Sequence, residues 1–319
     1  MNNQNFSDRV CNSVRAKKSH VVVGLDPDLK LIPKYIINEA VEFFGRTPKG
    51  ACYAILKFNQ IIIDTIAEQV AIVKPQLAYY EIYGYEGIRV FWETVKYAKE
   101  KGLIVLADGK RGDISSTAVA YATAFFGNNT PDEVWQEPGL QVDALTVNPY
   151  LGSDGLVPFI EKCEEQNTGI FILAKTSNPS AGELQDRILS NGVIVSHQVS
   201  KLIHNLGSST IGELGYSSVG AVVGATYMED LKELRKIMPQ SIFLVPGYGA
   251  QGGQGKDVVH AFNKDGYGAL ISASRSIIYS FSYLEDPSLK EVKENIYAAV
   301  RNMNNDLNNS LKEHRKLLW

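Results

Sequence analysis

Three ionisable residues, Asp108, Lys110 and Asp113, lie directly behind an apolar run in the stretch LADGKRGDI at 106–114. The run, LIVLA at 103–107, is typical of a buried strand. Alternate residues of a strand face the same side, so Asp108 and Lys110 are predicted to project together from the strand's end. Burying such a pair costs several kcal/mol per ion unless partners surround it. The pattern therefore predicts either a salt-bridged rim or the charged centre of an active site.

Polar side chains also end most of the other apolar runs in the chain. They are Asp26, Lys74 with Gln76, Asn148, Lys175 with Ser177, Gln251 just beyond Pro246, and Arg275. A single charged strand end is ordinary, because water can solvate it. Solvation does not explain why so many strands would end in polar residues at the same place. One network could hold Asp26, Lys74, Asp108, Lys110 and Lys175, with each ion offsetting part of the cost of burying the others. This favours an active site over a salt-bridged rim.

Eight short apolar runs, each followed by a longer helical pattern, recur along the chain. They are 21–26, 70–76, 103–108, 142–147, 170–175, 219–224, 241–246 and 269–274. Their Val, Ile and Leu residues show no strict alternation, as expected for parallel strands covered on both faces. Amphipathic stretches such as 87–102 and 228–238 lie between them. The order predicts an α/β fold, a (β/α)8 TIM barrel with the polar strand ends at its mouth; a doubly wound open sheet is the alternative.

Segments outside this repeating pattern predict additional helices. Residues 5–18 predict an extra N-terminal helix across the barrel bottom, 27–69 two helices rather than one, and 288–316 a long final helix. The Gly-, Asn- and Ser-containing stretch 178–216 predicts a long loop plus a helix. Since α/β barrels commonly run ~250 residues as one domain, residues 1–319 are predicted to form a single barrel domain.

Composition and charge exclude several classes of function. The net charge is −3, from 32 basic and 35 acidic residues, and no basic block indicates nucleic acid or a membrane surface as partner. The stretch MNNQNFSDRV lacks the apolar core that a signal peptide requires, so secretion is not expected, and no run approaches the ~18 apolar residues of a membrane span. Cys11, Cys52 and Cys163 lie far apart, which predicts a reducing cytoplasm rather than a disulfide framework. No Cys or His spacing predicts a metal site.

A glycine-rich loop follows the seventh run. Its residues 247–252, GYGAQG, match the dinucleotide pattern G-x-G-x-x-G, but they come late in the chain and the next run ends at Arg275 rather than at an acid. Loops after strands seven and eight of a barrel usually hold a phosphate, which backbone amides and an arginine can bind. We therefore favour a phosphate site over NAD; a flexible loop without a ligand is the remaining alternative.

Taken in order, these motifs resemble the orotidine 5′-monophosphate decarboxylase family, in its longer bacterial and protozoan branch. The stretch 108–114 is similar to the family's D-x-K-x-x-D-I signature. Lys74 of strand two and the strand end at Arg275 match its other landmarks, as do GLDPD (24–28), KTSNP (175–179) and PGYGAQGG (246–253). The signature alone also occurs in metal-dependent sugar-phosphate enzymes, whereas the ordered set is specific.

The resemblance implies a cofactor-free decarboxylation of orotidine 5′-monophosphate to UMP in a homodimer with shared active sites. It implies that Lys110 donates a proton to C6 and that Asp108 lies against the substrate carboxylate. Asp113 is implied to come from the neighbouring subunit, and Lys74 to hold the charge network and the ribose. The implied substrate-binding residues are Asp26 and Thr117 at the ribose, Ser177 at the pyrimidine amide, Pro246, and Gln251 with Arg275 at the phosphate.

Two alternatives stay open at this point. A metal-dependent sugar-phosphate decarboxylase or aldolase would use the same signature. Such an enzyme would need a carboxylate to bind the metal, whereas strand two has Lys74. A non-catalytic nucleotide-binding barrel is the other, although pure binding does not require a costly buried charge network.

Overall fold

Eight parallel strands close into a barrel in the order β1 to β8, with β8 pairing back onto β1. The computed structural model describes residues 4–127, 141–225, 228–249 and 254–319. The strands are β1 (Val21–Leu25), β2 (Ile72–Pro75), β3 (Ile104–Arg111), β4 (Ala144–Val147), β5 (Gly169–Lys175), β6 (Ser217–Val223), β7 (Ser241–Pro246) and β8 (Ala269–Ala273). The predicted (β/α)8 barrel is therefore confirmed, and the open-sheet alternative is wrong because the sheet closes.

Helices alternate with the strands and cover the barrel. They are α1 (Phe6–Lys17), α2 (Lys34–Phe44), α3 (Pro48–Ile66), α4 (Ala78–Glu81), α5 (Gly84–Glu100), α6 (Ser115–Phe126), α7 (Val157–Gln166), α8 (Val195–Leu206), α9 (Met228–Ile237), α10 (Gly255–Val258), α11 (Arg275–Ile278) and α12 (Leu289–Glu313). The predicted N-terminal helix, the two helices within 27–69 and the long final helix are confirmed. Among the described residues, no helix combines the length and the apolar character that crossing a membrane requires.

The stretch 178–216 forms a loop with short 3-10 turns, Pro179–Glu183 and Gly207–Thr210, on either side of α8. The predicted loop plus helix is confirmed. β3 differs more from its prediction, because it continues past Asp108 to Arg111, where it pairs with Val147 of β4 after a register shift.

Helix α1 closes the N-terminal end of the barrel, as predicted. Most of its buried residues are apolar, and Phe6 meets Phe171 of β5 edge to face with the ring centroids 6.3 Å apart. A Cβ on Gly169 would lie 2.2 Å from the Phe6 ring, so this close approach requires glycine. Arg9 adds an ion pair to the buried carboxylate of Asp143 at 2.8 Å.

Above α1, apolar side chains fill the lower part of the barrel interior. These buried residues include Val22, Ile72, Ile104, Leu106, Ala144, Phe171, Ile242, Leu244 and Leu270. Since alternate strand residues face the same side, the next inward positions toward the carboxyl ends include Gly24, Lys74, Asp108 and Thr146. The interior therefore changes from apolar to polar at the mouth of the barrel.

We expect Phe6→Ala to lower the free energy of unfolding by about 3–5 kcal/mol, because it removes a buried ring and leaves a cavity under the barrel. The matched control is Phe43→Ala, whose ring is 61% exposed. This control should cost less than about 1 kcal/mol. Urea unfolding followed by circular dichroism measures both, and equal losses would contradict the proposed closure by α1.

Candidate active site

The carboxylate of Asp108, at the mouth end of β3, is the centre of the polar layer. Its Oδ2 accepts hydrogen bonds from Lys74 Nζ at 2.7 Å and from Gln76 Nε2 at 2.9 Å. Its Oδ1 accepts from Lys110 Nζ at 2.6 Å and from the Thr146 hydroxyl at 3.0 Å. The structure therefore confirms that Asp108 and Lys110 project together, and it places Lys74 in the same cluster. We call these five residues the Asp108 cluster.

An irregularity in β3 directs the Lys110 side chain toward the mouth. Lys110 has a φ of 45°, in the left-handed region that non-glycine residues rarely adopt. Its backbone N–H donates to the Thr146 hydroxyl at 2.9 Å instead of to a strand carbonyl. Such irregularities commonly re-aim a side chain next to an active site. As a result the Lys110 side chain is 47% exposed and that of Lys74 only 8%, although both bind one carboxylate.

Both Asp108 and Lys74 are charged at neutral pH in this arrangement. Burial by itself raises the pKa of Asp108, but the Lys74 and Lys110 ammonium groups outweigh it and hold that pKa well below its usual range. Burial likewise acts to lower the pKa of Lys74, but Asp108 and Asp26 together raise it above its ordinary value. The barrel mouth therefore holds a fixed anion between two cations.

Asp26 presents an oxygen without a partner beside this cluster. Among the described residues nothing hydrogen-bonds its buried Oδ1. The loop behind it is fixed by Tyr279, whose hydroxyl donates to the Asp26 carbonyl at 3.1 Å. A Cβ on Gly24 would lie 1.9 Å from Ser274 Oγ, so the close approach of β1 to the β8 end requires glycine. A buried oxygen held in this way is suited to accept a ligand hydroxyl.

The expectation that Lys175 joins the same network is wrong. Its ammonium pairs with Asp186 of the loop after β5 and lies 4.0 Å from Asp230 of α9. The reason is a register shift between Leu173 and Lys175, since a one-residue irregularity turns the next side chain to the other face.

The predicted phosphate residues lie at the ends of β7 and β8. Pro246 ends β7, and Arg275 begins α11 with an exposed side chain. A Cβ on Gly249 would lie 3.3 Å from Ser276 Oγ, so the loop after β7 meets the turn that carries Arg275. Gln251 lies outside the described residues.

Ser177, Asp113 and Thr117 lie around the rim rather than in the Asp108 cluster. Ser177 is partly buried, with its backbone 3.0 Å from the position that a Cβ on Gly224 would take. Asp113 Oδ1 accepts the N–H of Ile114, and Thr117 is exposed on the first turn of α6. Asp113 is half-buried, and within the described part of the chain neither Asp113 nor Thr117 hydrogen-bonds to the Asp108 cluster.

Thr146 is a site residue that the sequence interpretation missed, and Gln76 received no role there. Thr146 lies at an inward position of β4, whose other residues, Ala144, Leu145 and Val147, are apolar. A polar residue at an inward position of an apolar strand indicates a site residue, and this pattern can be read from the sequence. Among the residues that the structure describes, no group of three or more His, Cys, Asp or Glu side chains is arranged to hold a metal ion.

Known proteins are similar to this chain in sequence and in fold. Over residues 19–283 the sequence matches the Orotidine 5′-phosphate decarboxylase / HUMPS family. It is 42% identical over 308 residues to the orotidine 5′-phosphate decarboxylase of Rhodopirellula baltica, which covers 96% of this chain and 99% of that protein. It is 38% identical to that of Caldicellulosiruptor saccharolyticus, with 93% and 99% covered. The structure of Leishmania donovani OMP decarboxylase superposes with a TM-score of 0.70 at 28% identity, covering 96% of this chain and 99% of that one.

We expect Asp108→Asn to lower the free energy of unfolding by about 3 kcal/mol at pH 7, because an amide N–H2 would face an ammonium donor and leave buried Lys74 without its anion. The pKa of Asp108 lies below its usual value of about 3.9 in the folded state. The wild-type advantage is therefore complete above about pH 4 and shrinks as pH falls further through the folded-state pKa.

Urea unfolding between pH 7 and pH 3 measures this difference. The exposed residue Asp286 supplies the control variant Asp286→Asn, which should change stability by less than about 0.5 kcal/mol. A stability difference for Asp108→Asn that stays constant from pH 7 to pH 3 would argue against a charged, ion-paired Asp108.

Proposed function

Because the chain belongs to the orotidine 5′-phosphate decarboxylase family, we propose that its Asp108 cluster performs the chemistry of that reaction. The chain is a carboxy-lyase that converts orotidine 5′-monophosphate to UMP. The observation that carries the assignment of roles is the pair of unequally exposed lysines on one buried carboxylate. Lys74 is enclosed and fixes Asp108, whereas the Lys110 ammonium reaches the open mouth.

Lys110 is the proposed proton donor. When the bond between C6 and the substrate carboxylate breaks, CO2 leaves and the electron pair stays on C6. An ammonium beside C6 stabilises this developing charge and then transfers its proton to carbon, which yields UMP and a neutral amine that solvent reprotonates. The Lys110 Nζ, bonded to Asp108 at 2.6 Å, already has its position fixed before substrate binds.

Asp108 contributes through repulsion, but repulsion is not the main effect. Two carboxylates about 4 Å apart repel by about 4 kcal/mol at an effective dielectric constant near 20. Relief of that repulsion at the transition state corresponds to roughly a thousandfold in rate. Decarboxylation without a cofactor needs far more, so stabilisation of the C6 carbanion by Lys110 has to supply most of the acceleration.

The substrate-binding roles that we propose are supported by where each residue lies. Asp26 offers its unpartnered buried oxygen to a ribose hydroxyl. Ser177 contacts the pyrimidine amide from the end of β5. Pro246 and Arg275 bind the phosphate end, where the loops after β7 and β8 meet. Gln251, which lies outside the described residues, joins them on the ground of the family resemblance alone. Because the phosphate does not react, its binding energy can serve to close the loop and exclude water.

We propose a homodimer in which Asp113 and Thr117 complete the neighbour's site. Asp113 and Leu151 both pack on Gly155, with the Asp113 carbonyl 2.9 Å and Leu151 Cβ 3.4 Å from where a Cβ on Gly155 would lie. Exposed apolar side chains surround them, namely Ile114, Val119, Tyr150 and Leu151, which are 47%, 48%, 79% and 46% exposed. Such a patch is typical of a protein–protein contact.

We propose further that residues 1–319 act as one barrel domain. The packing of both α1 and α12 on the barrel strands supports this proposal. A cytoplasmic location is supported by the three buried cysteines, all of which have free thiols. No nucleic acid or membrane partner is proposed.

We expect purified protein to decarboxylate orotidine 5′-monophosphate at the same rate with and without EDTA, followed by ultraviolet absorbance. The reason is that the ammonium groups of Lys74 and Lys110 already occupy the cation positions around Asp108. Loss of activity in EDTA that Mg²⁺ restores would favour a metal-dependent sugar-phosphate enzyme instead. Tight UMP binding without turnover would favour a non-catalytic nucleotide-binding barrel.

We expect inactive Lys110→Ala and inactive Asp113→Ala to restore activity when their subunits exchange. In a two-fold dimer, each mixed dimer would carry one doubly defective site and one intact site. With half the dimers mixed, activity should recover to about a quarter of the wild-type level.

The matched control mixes Lys110→Ala with Asp108→Asn. Both residues belong to the Asp108 cluster of a single chain, so no mixed dimer gains an intact site and activity should stay at the level of the separate variants. If subunits demonstrably exchange and Asp113→Ala also gives no recovery, Asp113 acts within its own chain.

A further inference from the structure

One side chain, Gln185, is bound to the loop that follows β5. Its Oε1 accepts the backbone N–H of Thr176 at 2.8 Å, and its Nε2 donates to the Thr176 hydroxyl at 2.7 Å. The oxygen and the nitrogen of this amide therefore both hydrogen-bond to Thr176, the residue that directly precedes Ser177. Neither the sequence motifs nor the chemistry proposed above assigns Gln185 a role.

The hydrogen bonds continue past Ser177. The Thr176 hydroxyl donates to Asn178 Oδ1 at 2.6 Å, so the residues on both sides of Ser177 belong to one hydrogen-bonded chain that starts at Gln185. On the opposite side, Gly224 of the β6 end leaves room for the Ser177 backbone, which lies 3.0 Å from where a Cβ would be. The backbone of the serine thus lies against Gly224, and its neighbour Thr176 is held by the Gln185 amide.

Gln185 is itself fixed by the backbone around it. The backbone N–H of Gln185 donates to the Ala181 carbonyl at 2.8 Å. Its backbone carbonyl accepts, at 2.9 Å, the N–H of Ser196, which lies in the first turn of α8. The next residue, Asp186, pairs with Lys175, so the two ends of the loop are also joined by an ion pair. An anchor held at this many points can transmit a fixed position to the residue that it binds.

We propose that Gln185 is a positioning residue that holds Ser177 in the orientation that binds the pyrimidine ring of the substrate. This inference rests on the role of Ser177 in the proposed function. A preorganised serine does not have to be ordered when the base binds, so its loss of freedom does not weaken binding. Without the amide of Gln185, the loop 176–178 samples other conformations and only a fraction of the molecules present Ser177 correctly.

Two ligands separate positioning of the base site from general damage. Gln185→Ala should weaken UMP binding about tenfold, the loss expected from one or two partly exposed hydrogen bonds. It should leave the binding of ribose 5-phosphate unchanged, because the ribose and the phosphate are bound by Asp26 and Arg275. The same variant should raise KM more than it lowers kcat. Equal weakening of both ligands in calorimetry would indicate a merely structural role and overturn the proposal.

A double-mutant cycle with Ser177→Ala tests whether Gln185 acts through the serine. If it does, Gln185→Ala should cause little further loss of UMP affinity once Ser177 is alanine. Additive losses would overturn the proposal while leaving the role of Ser177 intact. If Ser177→Ala binds UMP as tightly as the wild type, the role of Ser177 in the proposed function fails, and the positioning proposal fails with it.

Variants of Thr176 repeat the test from the other side of the hydrogen bond. Thr176→Val removes the hydroxyl but keeps the backbone N–H that donates to Gln185 Oε1, so it should weaken UMP binding in the same sense as Gln185→Ala but by less. Thr176→Ser keeps the hydroxyl and should resemble the wild type. The control is Asn191→Ala, from the same segment, whose Oδ1 accepts the exposed N–H of Val193 at 3.1 Å. Should Gln185→Ala fail to fold, Thr176→Val carries the test, and wild-type UMP affinity in that variant overturns the proposal.

Discussion

A carboxylate enclosed at the barrel mouth between two ammonium groups is the interaction on which the rest of the site depends. The side chains of Asp108 and Lys74 are only 10% and 8% exposed, and each such ion costs several kcal/mol to bury without a partner. Four donors meet the two Asp108 oxygens, which satisfies the anion fully. Neither lysine could be replaced by an apolar residue without leaving this carboxylate short of a donor. A substitution that removes the charge of Asp108 therefore leaves both lysines without this counterion, and one that removes the charge of Lys74 or Lys110 leaves Asp108 with one cation instead of two.

This constraint extends into the backbone of the barrel. β3 departs from regular pairing after Ala107, and Lys110 takes a left-handed conformation that a non-glycine residue reaches only at a cost of about 1–2 kcal/mol. The hydroxyl of Thr146 offsets part of that cost, since it accepts the Lys110 N–H and also donates to Asp108. One threonine thus stabilises both the irregular backbone and the carboxylate that the irregularity serves. The apolar interior below and the closure by α1 supply the stability that makes such strain tolerable.

The sequence predicts the scaffold better than the details of the site, for a physical reason. Strands buried on both faces need runs of Val, Ile and Leu, and those runs identify all eight strands and the barrel. The two-residue strand period likewise predicts that Asp108 and Lys110 share a face. Local irregularities are not visible in composition or period: the extension of β3 to Arg111 and the register shift before Lys175 are set by pairing with the neighbouring strands. The regular two-residue period therefore predicts Lys175 in the network, whereas the shifted register lets it pair with Asp186.

The unequal exposure of the two lysines explains how one carboxylate can serve both stability and chemistry. The Lys74 side chain is only 8% exposed, and its raised pKa keeps it protonated, so it acts as a permanent counterion. Lys110 binds the same carboxylate from the open side, where a ligand can reach its ammonium. If Lys110 gave up its proton without Lys74 present, Asp108 would be left as a buried anion with no cation. With Lys74 in place the cluster would keep one ion pair through the proposed proton transfer, and the cost of changing the charge on Lys110 is correspondingly lower. The proton transfer that we propose for Lys110 therefore depends on a second, enclosed lysine.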